Sequence, residues 1–338
     1  MATTRPTLDS VAERAKVSRQ TVSNVVNSPQ RVRLDTAARV RAAIDELGYR
    51  PSRAARQMRT NRSMLLGLRL EPDRGGINGA VLDRFLHSVV DAAQAASYRV
   101  VVFTAADDEA EIHSYAELLA SSEADGFLLT STHHGDPRTS WLATRGVPFS
   151  TFGRPWGAVD EHHSWVDVDG AAGIRAAVEH LATLGHRRVG FIGWPEGSGV
   201  GDDRRAGWST AARTAGLPVD RALQELVEDG VSQGRSAAQR MLGRSDPPTA
   251  LVCSSDSLAL GAHAVDPTVA VTGFDDTPVA LAVGLSSVAQ PLVEAAAVCV
   301  QQVLDVIDGR AIASQQVLLP PTFTLRHSTP GPAPTGNR

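Results

Sequence analysis

The stretch VSRQTVSNVVN, Val17–Asn27, decides how the chain reads. Wound as a helix at about 100° per residue, it places Val22, Val25 and Val26 on one face, with Val17 leading in. Arg19, Gln20, Ser23, Asn24 and Asn27 fall on the opposite arc. Alone, such a pattern describes any amphipathic surface helix. Its neighbours give the polar face a purpose. Upstream, Thr7 is a candidate N-cap for LDSVAERA, with Asp9 and Glu13 near the positive end of that helix. Leu8, Val11, Ala12 and Ala15 form its apolar stripe. Ser18 is the natural N-cap of the quoted stretch. Two short helices joined by about four residues, the second polar outside, make a helix-turn-helix. A third periodic segment, DTAARVRAAIDELGY, offers Val40, Ala43, Ile44 and Leu47 to cover the pair. Gly48 ends it, and Pro51 opposes continuation.

Charge supports a nucleic-acid partner. The 338-residue chain carries a net −4, yet residues 1–62 hold 13 Lys+Arg against 5 Asp+Glu, a local +8. The remainder carries −12. A basic head on an acidic body is the footprint expected for binding DNA or RNA. With 42% hydrophobic and 21% charged residues, the composition is that of a globular protein with sizeable cores. No run approaches the roughly 18 apolar residues of a membrane helix. MATTRPTLDS has no apolar leader, so a cytoplasmic location, at the nucleoid, is expected. Cys253 and Cys299 sit in apolar runs and read as buried thiols in a reducing compartment.

Following the head, PSRAARQMRTNRS offers a short helix capped by Ser52, with Arg53, Arg56 and Arg59 and the apolar Ala54, Ala55 and Met58. It is too short to be stable alone. Its small residues would let two copies pack closely, with Met58 as an apolar wedge between base steps. Beyond it, β-rich runs alternate with helical segments, from SMLLGLRL to VPFSTFG. The rhythm then repeats from AAGIRAAVEHLATLGH to VAVTGF. This implies two mostly parallel sheets covered by helices, a bilobed clamp with a ligand between the lobes.

TLDSVAERAKVSRQTVSNVVN, RVRAAIDELGYRPSRAARQMR and the body motifs together resemble the LacI/GalR family of bacterial transcription regulators, up to about His327. The resemblance implies a small all-α helix-turn-helix head on a bilobed α/β core like that of periplasmic binding proteins. Expected boundaries are a DNA-binding domain at 1–50, a hinge helix at 51–62 and an effector-binding and dimerisation domain at 63–327. Within that domain, one lobe takes about 63–163 and 288–308, the other about 166–285 and 315–327. The chain crosses between lobes near 160–168, 284–290 and 309–319. A Pro/Gly-rich tail at 328–338 is expected to be disordered.

The resemblance also assigns roles. Arg19 and Gln20 take the main base-reading positions, with Asn24 one turn later. Arg19 suits guanine O6/N7, and Gln20 or Asn24 suits adenine N6/N7. Asn24 reads equally as a phosphate contact. Ser18, Thr21 and Ser23 would hold phosphates or brace the helix. Thr7, Leu8, Asn27, Tyr49, Arg53, Ala55, Arg56 and Met58 complete the expected DNA-binding set. For the effector, Arg204 in RRAGW matches the R-x-x-G-W position, where Arg holds ligand hydroxyls or a carboxylate. Asp275 in GFDD and Asp169 in VDVDG match the acidic positions that accept from sugar hydroxyls. Trp194, after a strand, could stack on a sugar face. Trp208 reads as core, Trp156 and Trp165 as either, Asp256 as a helix cap and Asp276 as a cap or hinge group. The sequence departs from the family at EPDRGGINGAVLDRF, which lacks the usual early aromatics, and in the shortened ALGAHAVDPTVAVTGF.

No catalytic chemistry is legible. GWPEGSGVGDD reads as a flexible loop, without the spacing of a dinucleotide turn. Lys16 is the sole lysine, which excludes a P-loop. His133–His134 and His162–His163 are adjacent pairs read as surface histidines, with no metal or other cofactor expected. The expected function is therefore a sequence-specific regulator, a repressor of carbohydrate-utilisation genes released by a sugar-like effector. It would act as a homodimer, with a tetramer as the alternative, on a pseudo-palindromic double-stranded operator. The competing readings are a corepressor-dependent regulator with a nucleobase or other metabolite, and a sugar-binding protein without DNA regulation.

Overall fold

The computed structural model describes residues 6–50, 62–71, 79–157, 163–310 and 315–332. Packing divides the chain into two units, Met1–Ser63 and Met64–Arg338.

In the first unit, local capping sets the three helices. Helix α1, Leu8–Ala15, starts at Thr7, whose hydroxyl accepts from the Ser10 N–H, while Ser10 Oγ accepts from the Thr7 N–H at 2.9 Å. Lys16, in the left-handed region at φ 55°, ends it. Helix α2, Arg19–Asn27, is capped by Ser18, which accepts from the Thr21 N–H at 3.1 Å. Helix α3, Leu34–Leu47, ends at Gly48 with φ 63°, a conformation glycine adopts without a Cβ clash. At its start, Arg33 makes no capping bond. The three apolar faces meet in one small core of Val11, Ala12, Ala15, Val22, Val25, Ala37, Val40 and Ala43. Replacing Thr7 with Ala should cost the head about 0.5–2 kcal/mol. Hydrogen exchange of the Val11 and Ala12 amides should quicken correspondingly.

The second unit holds two six-stranded sheets. The first contains β1 Leu65–Arg69, β2 Arg99–Phe103, β3 Gly126–Leu129, β4 Phe149–Phe152, β5 Trp165–Val168 and β11 Gln316–Leu319. Its order is β11-β5-β4-β3-β1-β2, and every pairing is parallel. Helices α4 Gly79–Ala95 and α12 Leu292–Ile307 bury Phe85, Val89, Cys299 and Val303 on one side of it. Helices α5 Asp108–Ala120 and α6 Pro137–Thr144 pack Tyr115 and Leu142 into a second cluster with Phe127.

The other sheet contains β6 Val189–Gly193, β7 Gln224–Leu226, β8 Ala250–Cys253, β9 Ala270–Phe274, β10 Ser286–Ala289 and β12 Thr322–Thr324, in the order β12-β10-β9-β8-β6-β7. Only β12 runs antiparallel, against β10. Helices α7 Gly170–Thr183 and α8 Gly199–Thr214 pack Ile174 and Trp208 with Phe191 and Phe274 on one side. Helices α9 Val231–Leu242, α10 Asp256–His263 and α11 Pro278–Val283 cover the other with Met241, Leu258 and Ala280. Trp208 is fully buried and its indole N–H donates to the Val189 carbonyl at 3.1 Å, so it is core.

The chain crosses between lobes three times, each time at or beyond the late end of the expected range. Strand β5 pairs with β4, so the first lobe runs to Val168. Strand β10 belongs to the second sheet and β11 to the first. The crossings therefore fall at 169, 290–291 and 320–321. These strands are four residues long, and such short runs take their sheet from parallel hydrogen bonding rather than from any pattern of their own.

Other expectations also change. Ser328 is buried, donates to the Val271 carbonyl at 2.6 Å and accepts from the Ser286 N–H at 2.8 Å. The His186 ring lies 2.9 Å from the Pro330 carbonyl, so 328–332 pack on the second lobe rather than trail as a tail. Residues 333–338 lie outside the described residues. The loop expected before Arg204 is cut short at Gly199, because Ser198 caps α8 by accepting from the Gly201 N–H. Ser255, not Asp256, caps α10. Asp256 instead accepts from the Thr277 N–H at 2.7 Å and the Ser287 hydroxyl at 2.6 Å, tying the turn after β9 to β10. Asp276 caps nothing either, since Thr277 caps α11 and the Asp276 carboxylate pairs with Arg326 at 2.6 Å.

Candidate functional site

In the head, the polar face of α2 carries Arg19 and Gln20 exposed, with Ser23 and Asn24 half-buried beside them. Gln20 donates to the Asn24 side-chain oxygen at 3.0 Å, joining two turns of the reading face. Arg19 lies 3.8 Å from Asp9, with both side chains about 70% exposed. So exposed a pair contributes little stability. Ser18 and Thr21 are joined hydroxyl to hydroxyl at 2.9 Å and brace the helix start. Thr7 is committed to its cap, and Leu8 packs against the core. Tyr49 was expected on the DNA face, but its ring is packed into the head core and 9% exposed. Following Gly48, the chain turns back on α3, and burial there raises the phenol's pKa, opposed by Arg19. Asn27 ends α2, and its side chain lies outside the described residues, as do Arg53, Ala55, Arg56 and Met58.

In the second unit, one cleft of about 220 Å³ opens where the C-terminal ends of both sheets face each other. Parallel sheets place their ligands there. From the second lobe, Arg204 on α8 reaches into it, only 5% exposed. Its guanidinium lies 3.6 Å from the Phe274 ring centroid and 5.1 Å from that of Trp194. One nitrogen donates to the Ser254 carbonyl at 2.6 Å, and another lies 3.9 Å from Asp275. Its Nε has no protein partner, which leaves a buried donor for a ligand. Gly207, one turn along, lets α8 press on α7, where a Cβ would strike the Ala171 carbonyl. That close approach sets Arg204 at its depth.

Asp275 accepts from the Gln290 amide at 2.7 Å and holds φ 107°. Strain of this kind costs of order 1–3 kcal/mol and clusters at ligand clamps. Burial pushes the Asp275 carboxyl up to about 7, with Asp256 and Asp229 adding to the rise and Arg204 opposing it. Burial likewise lowers the Arg204 pKa, against the pull of Asp275. Both groups are short of solvation, and hydroxyls of a ligand would supply it. As the folded pKa lies above the unfolded value, Asp275 favours the fold fully at low pH and loses that contribution as pH rises towards about 7. Ligand affinity runs the other way, because only the ionised carboxylate accepts from two hydroxyls. Ligand affinity should therefore fall between pH 8 and 6, and Asp275→Asn should flatten the profile, as calorimetric titrations would register.

From the first lobe come Ser131, Thr132, Phe152, Arg154, Trp156 and Asp167. Arg154 Nε donates to Asp167 at 2.6 Å, and its Nη2 lies 3.1 Å from Asp203 of the second lobe. Burial opposes the Arg154 charge, but the two carboxylates more than offset it and raise its pKa. The Asp167 carboxyl is raised by burial, with Arg154 opposing. Trp156 lies against Gly199 at the start of α8, where a Cβ would strike its ring. The Trp194 indole N–H donates to Asp229 at 3.0 Å, which fixes its plane.

Asp169 does not line this cleft. It caps α7, accepting from the Ala172 N–H at 2.7 Å, and Asp167 two residues earlier occupies the expected place. Trp165 sits half-buried on β5, away from the lining. His163 is buried beside Thr151 at 3.2 Å rather than on the surface, and burial pushes its pKa down to about 4. His162 lies outside the described residues. His133, in contrast, is exposed and pairs with Asp108 at 3.0 Å. Asp108, His133 and Asp136 place ligating atoms within 4.8 Å of one another. The buried Arg138 guanidinium already occupies that cluster, 2.6 Å from Asp136 and 3.6 Å from Asp108.

Comparison with known proteins matches both parts. Residues 7–52 fit the model of bacterial regulatory proteins of the lacI family. Residues 178–329 fit the periplasmic binding protein-like domain. The HTH-type transcriptional regulator CelR of Thermobifida fusca is 34% identical over 82% of this chain and 84% of its own. The chain belongs to the LacI family. It is a DNA-binding transcriptional regulator. Among solved structures of LacI-family proteins, a transcriptional regulator CelR–cellobiose complex shares 30% identity, with TM-score 0.72 over 96% of this chain and 100% of that one. The lac repressor dimer bound to operator and the anti-inducer ONPF shares 26%, with TM-score 0.80 over 97% and 100%. Among its described residues, no helix of this LacI-family regulator is long and apolar enough to cross a membrane.

Sequence reasoning reached Arg204, Asp275 and Trp194 in the cleft of the LacI-family chain and missed Arg154, Asp167, Asp203 and Gln290. The signal for Arg154 was present: FGRPW places a Gly-Arg-Pro turn directly after a strand, where parallel sheets present ligand groups.

Proposed function

We propose that this regulator is a dimeric repressor of carbohydrate-utilisation genes, released from its operator when a small sugar enters the interlobe cleft. Residues 1–50 form the DNA-binding head and 51–62 the hinge. Arg19, Gln20 and Asn24 read base edges in the major groove, while Arg53, Ala55, Arg56 and Met58 work in the minor groove. The protein acts in the cytoplasm, on DNA, and performs no catalysis.

The observation that carries the sugar reading is the Arg204 guanidinium, held against Phe274 and Trp194 with its Nε unpaired and the strained Asp275 beside it. Aromatic faces bind the apolar faces of a pyranose. Buried donors and acceptors reject ligands that cannot pair them. A cellobiose-bound relative of the same architecture supports the same ligand class. Release follows by linkage, since a sugar that binds the DNA-free arrangement more tightly must weaken operator binding by the same factor.

Titration of a duplex from the gene's own upstream region, across salt, tests the DNA half. Affinity should fall steeply, with a log–log slope of about −0.9 per neutralised phosphate. An upstream duplex that binds no better than random DNA would rule the reading out.

A further inference from the structure

We propose that the cleft selects electrically neutral, hydroxyl-rich sugars and rejects those bearing a phosphate or carboxylate, because among the described residues the cleft's carboxylates already neutralise both of its guanidinium groups. The inference rests on the sugar-effector reading and narrows it.

Among the described residues, five charged side chains line the cleft: Arg154, Asp167, Asp203, Arg204 and Asp275. The acids outnumber the bases. Arg154 is held from both lobes, with Nε on Asp167 at 2.6 Å and Nη2 at 3.1 Å from Asp203. Arg204 gives one nitrogen to the Ser254 carbonyl and turns another towards Asp275, with Phe274 under its face. Its Nε makes no hydrogen bond, but Asp275, Asp167, Asp203 and Asp229 all act on the same guanidinium charge, so an anion drawn to it meets their carboxylates as well. Behind this layer, Asp229 and Asp256 both bear electrostatically on Asp275.

A protein's other device for binding anions is the N-terminus of a helix. Two of the helices that begin at the cleft, α7 and α8, are already capped from within. At α7, Asp203 accepts from the Ala171 N–H at 3.0 Å and Asp169 from the Ala172 N–H at 2.7 Å. At α8, Ser198 accepts from the Gly201 N–H at 3.2 Å, and Asp202 accepts from the Gly197 N–H at 2.9 Å just before it. An anion approaching Arg154, Arg204 or either of these helix starts must displace a carboxylate or lie buried next to one, and a buried uncompensated charge is strongly disfavoured. A neutral hydroxyl faces no such penalty. It accepts from Arg204 Nε and donates to a carboxylate without changing the charge of the site.

The test compares cellobiose, maltose and trehalose with the 6-phosphate of each, and cellobiose with cellobionate, by calorimetry on the full chain. Any neutral sugar that binds should exceed its charged counterpart by about 30-fold or more, the scale set by leaving a buried charge unpaired. Asp203→Asn is nearly isosteric, keeps an acceptor for the Ala171 N–H and releases one carboxylate from Arg154. In that variant, with its fold verified by circular dichroism, the neutral-to-phosphate ratio should shrink by about tenfold. A phosphate that binds as tightly as its parent sugar overturns the selection while leaving the sugar-effector reading standing. An unchanged ratio in Asp203→Asn overturns the assignment to the neutralised Arg154. Binding by none of these sugars, neutral or charged, overturns both readings.

Discussion

Arg204→Ala should lose about 30- to 1,000-fold in sugar affinity while operator binding stays within a factor of about two. The substitution removes the donor to the Ser254 carbonyl and, among the described residues, the only cation beside Asp275 in the second lobe's half of the cleft. Asp275 already titrates at about 7 through burial, so without Arg204 it takes up a proton at neutral pH and ceases to accept from two hydroxyls. The lobe loses stability as well, by about 3 kcal/mol for a broken buried pair. Arg204→Lys separates the two effects, because it keeps the charge and loses the planar fork. Its affinity should fall between those of wild type and Arg204→Ala, with a smaller loss of Tm. The head packs its own core from Val11, Val22, Val25 and Val40, so neither variant should disturb DNA binding. Simultaneous loss of sugar and operator binding would instead indicate a misfolded body.

Replacing Arg19 and Gln20 together with Ala should remove most sequence preference, while non-specific DNA binding survives. Each good base contact is worth about 1–3 kcal/mol of discrimination, so the pair carries roughly 30- to 10,000-fold of the ratio between operator and random duplex. Neither side chain contributes to the head core, and Ser18 still caps α2; the circular dichroism spectrum should therefore not change. Because Gln20 donates to Asn24, a Gln20→Ala, Asn24→Ala cycle should show coupling instead of simple addition. Competition titrations with single-base operator variants would read which position each residue governs. Equal losses on operator and random DNA would assign these residues to phosphates instead.

The head was legible in its sequence because local rules set it. Thr7, Ser18 and Gly48 announce helix ends through their own chemistry, and the valines of α2 sort by helical period into buried Val22 and Val25. Tyr49 escaped those rules, since its burial depends on the direction the chain takes past Gly48. In the body, alternating β and α patterns revealed both sheets and the core Trp208. Strands β5, β10 and β11 carry too few residues to state their sheet, and long-range pairing decides it. The same limit explains the acidic positions. In VDVDG, Asp167 lies within strand β5 and lines the cleft, whereas Asp169 begins the crossing and caps α7. Composition cannot choose between two aspartates two residues apart. Arg154 and Asp203 become a site only when the lobes meet, and no periodicity in either segment records the other.

Coupling between the DNA-binding head and the interlobe cleft is tested most directly by the fluorescence anisotropy of a labelled upstream operator duplex, titrated with the full-length protein with and without saturating sugar. Operator should bind more tightly than random duplex, by about 1,000-fold or more. Sugar should weaken the operator complex of the wild type and leave that of Arg204→Ala unchanged. Operator binding indifferent to a sugar that calorimetry shows to be bound, or no preference for operator at all, would contradict it.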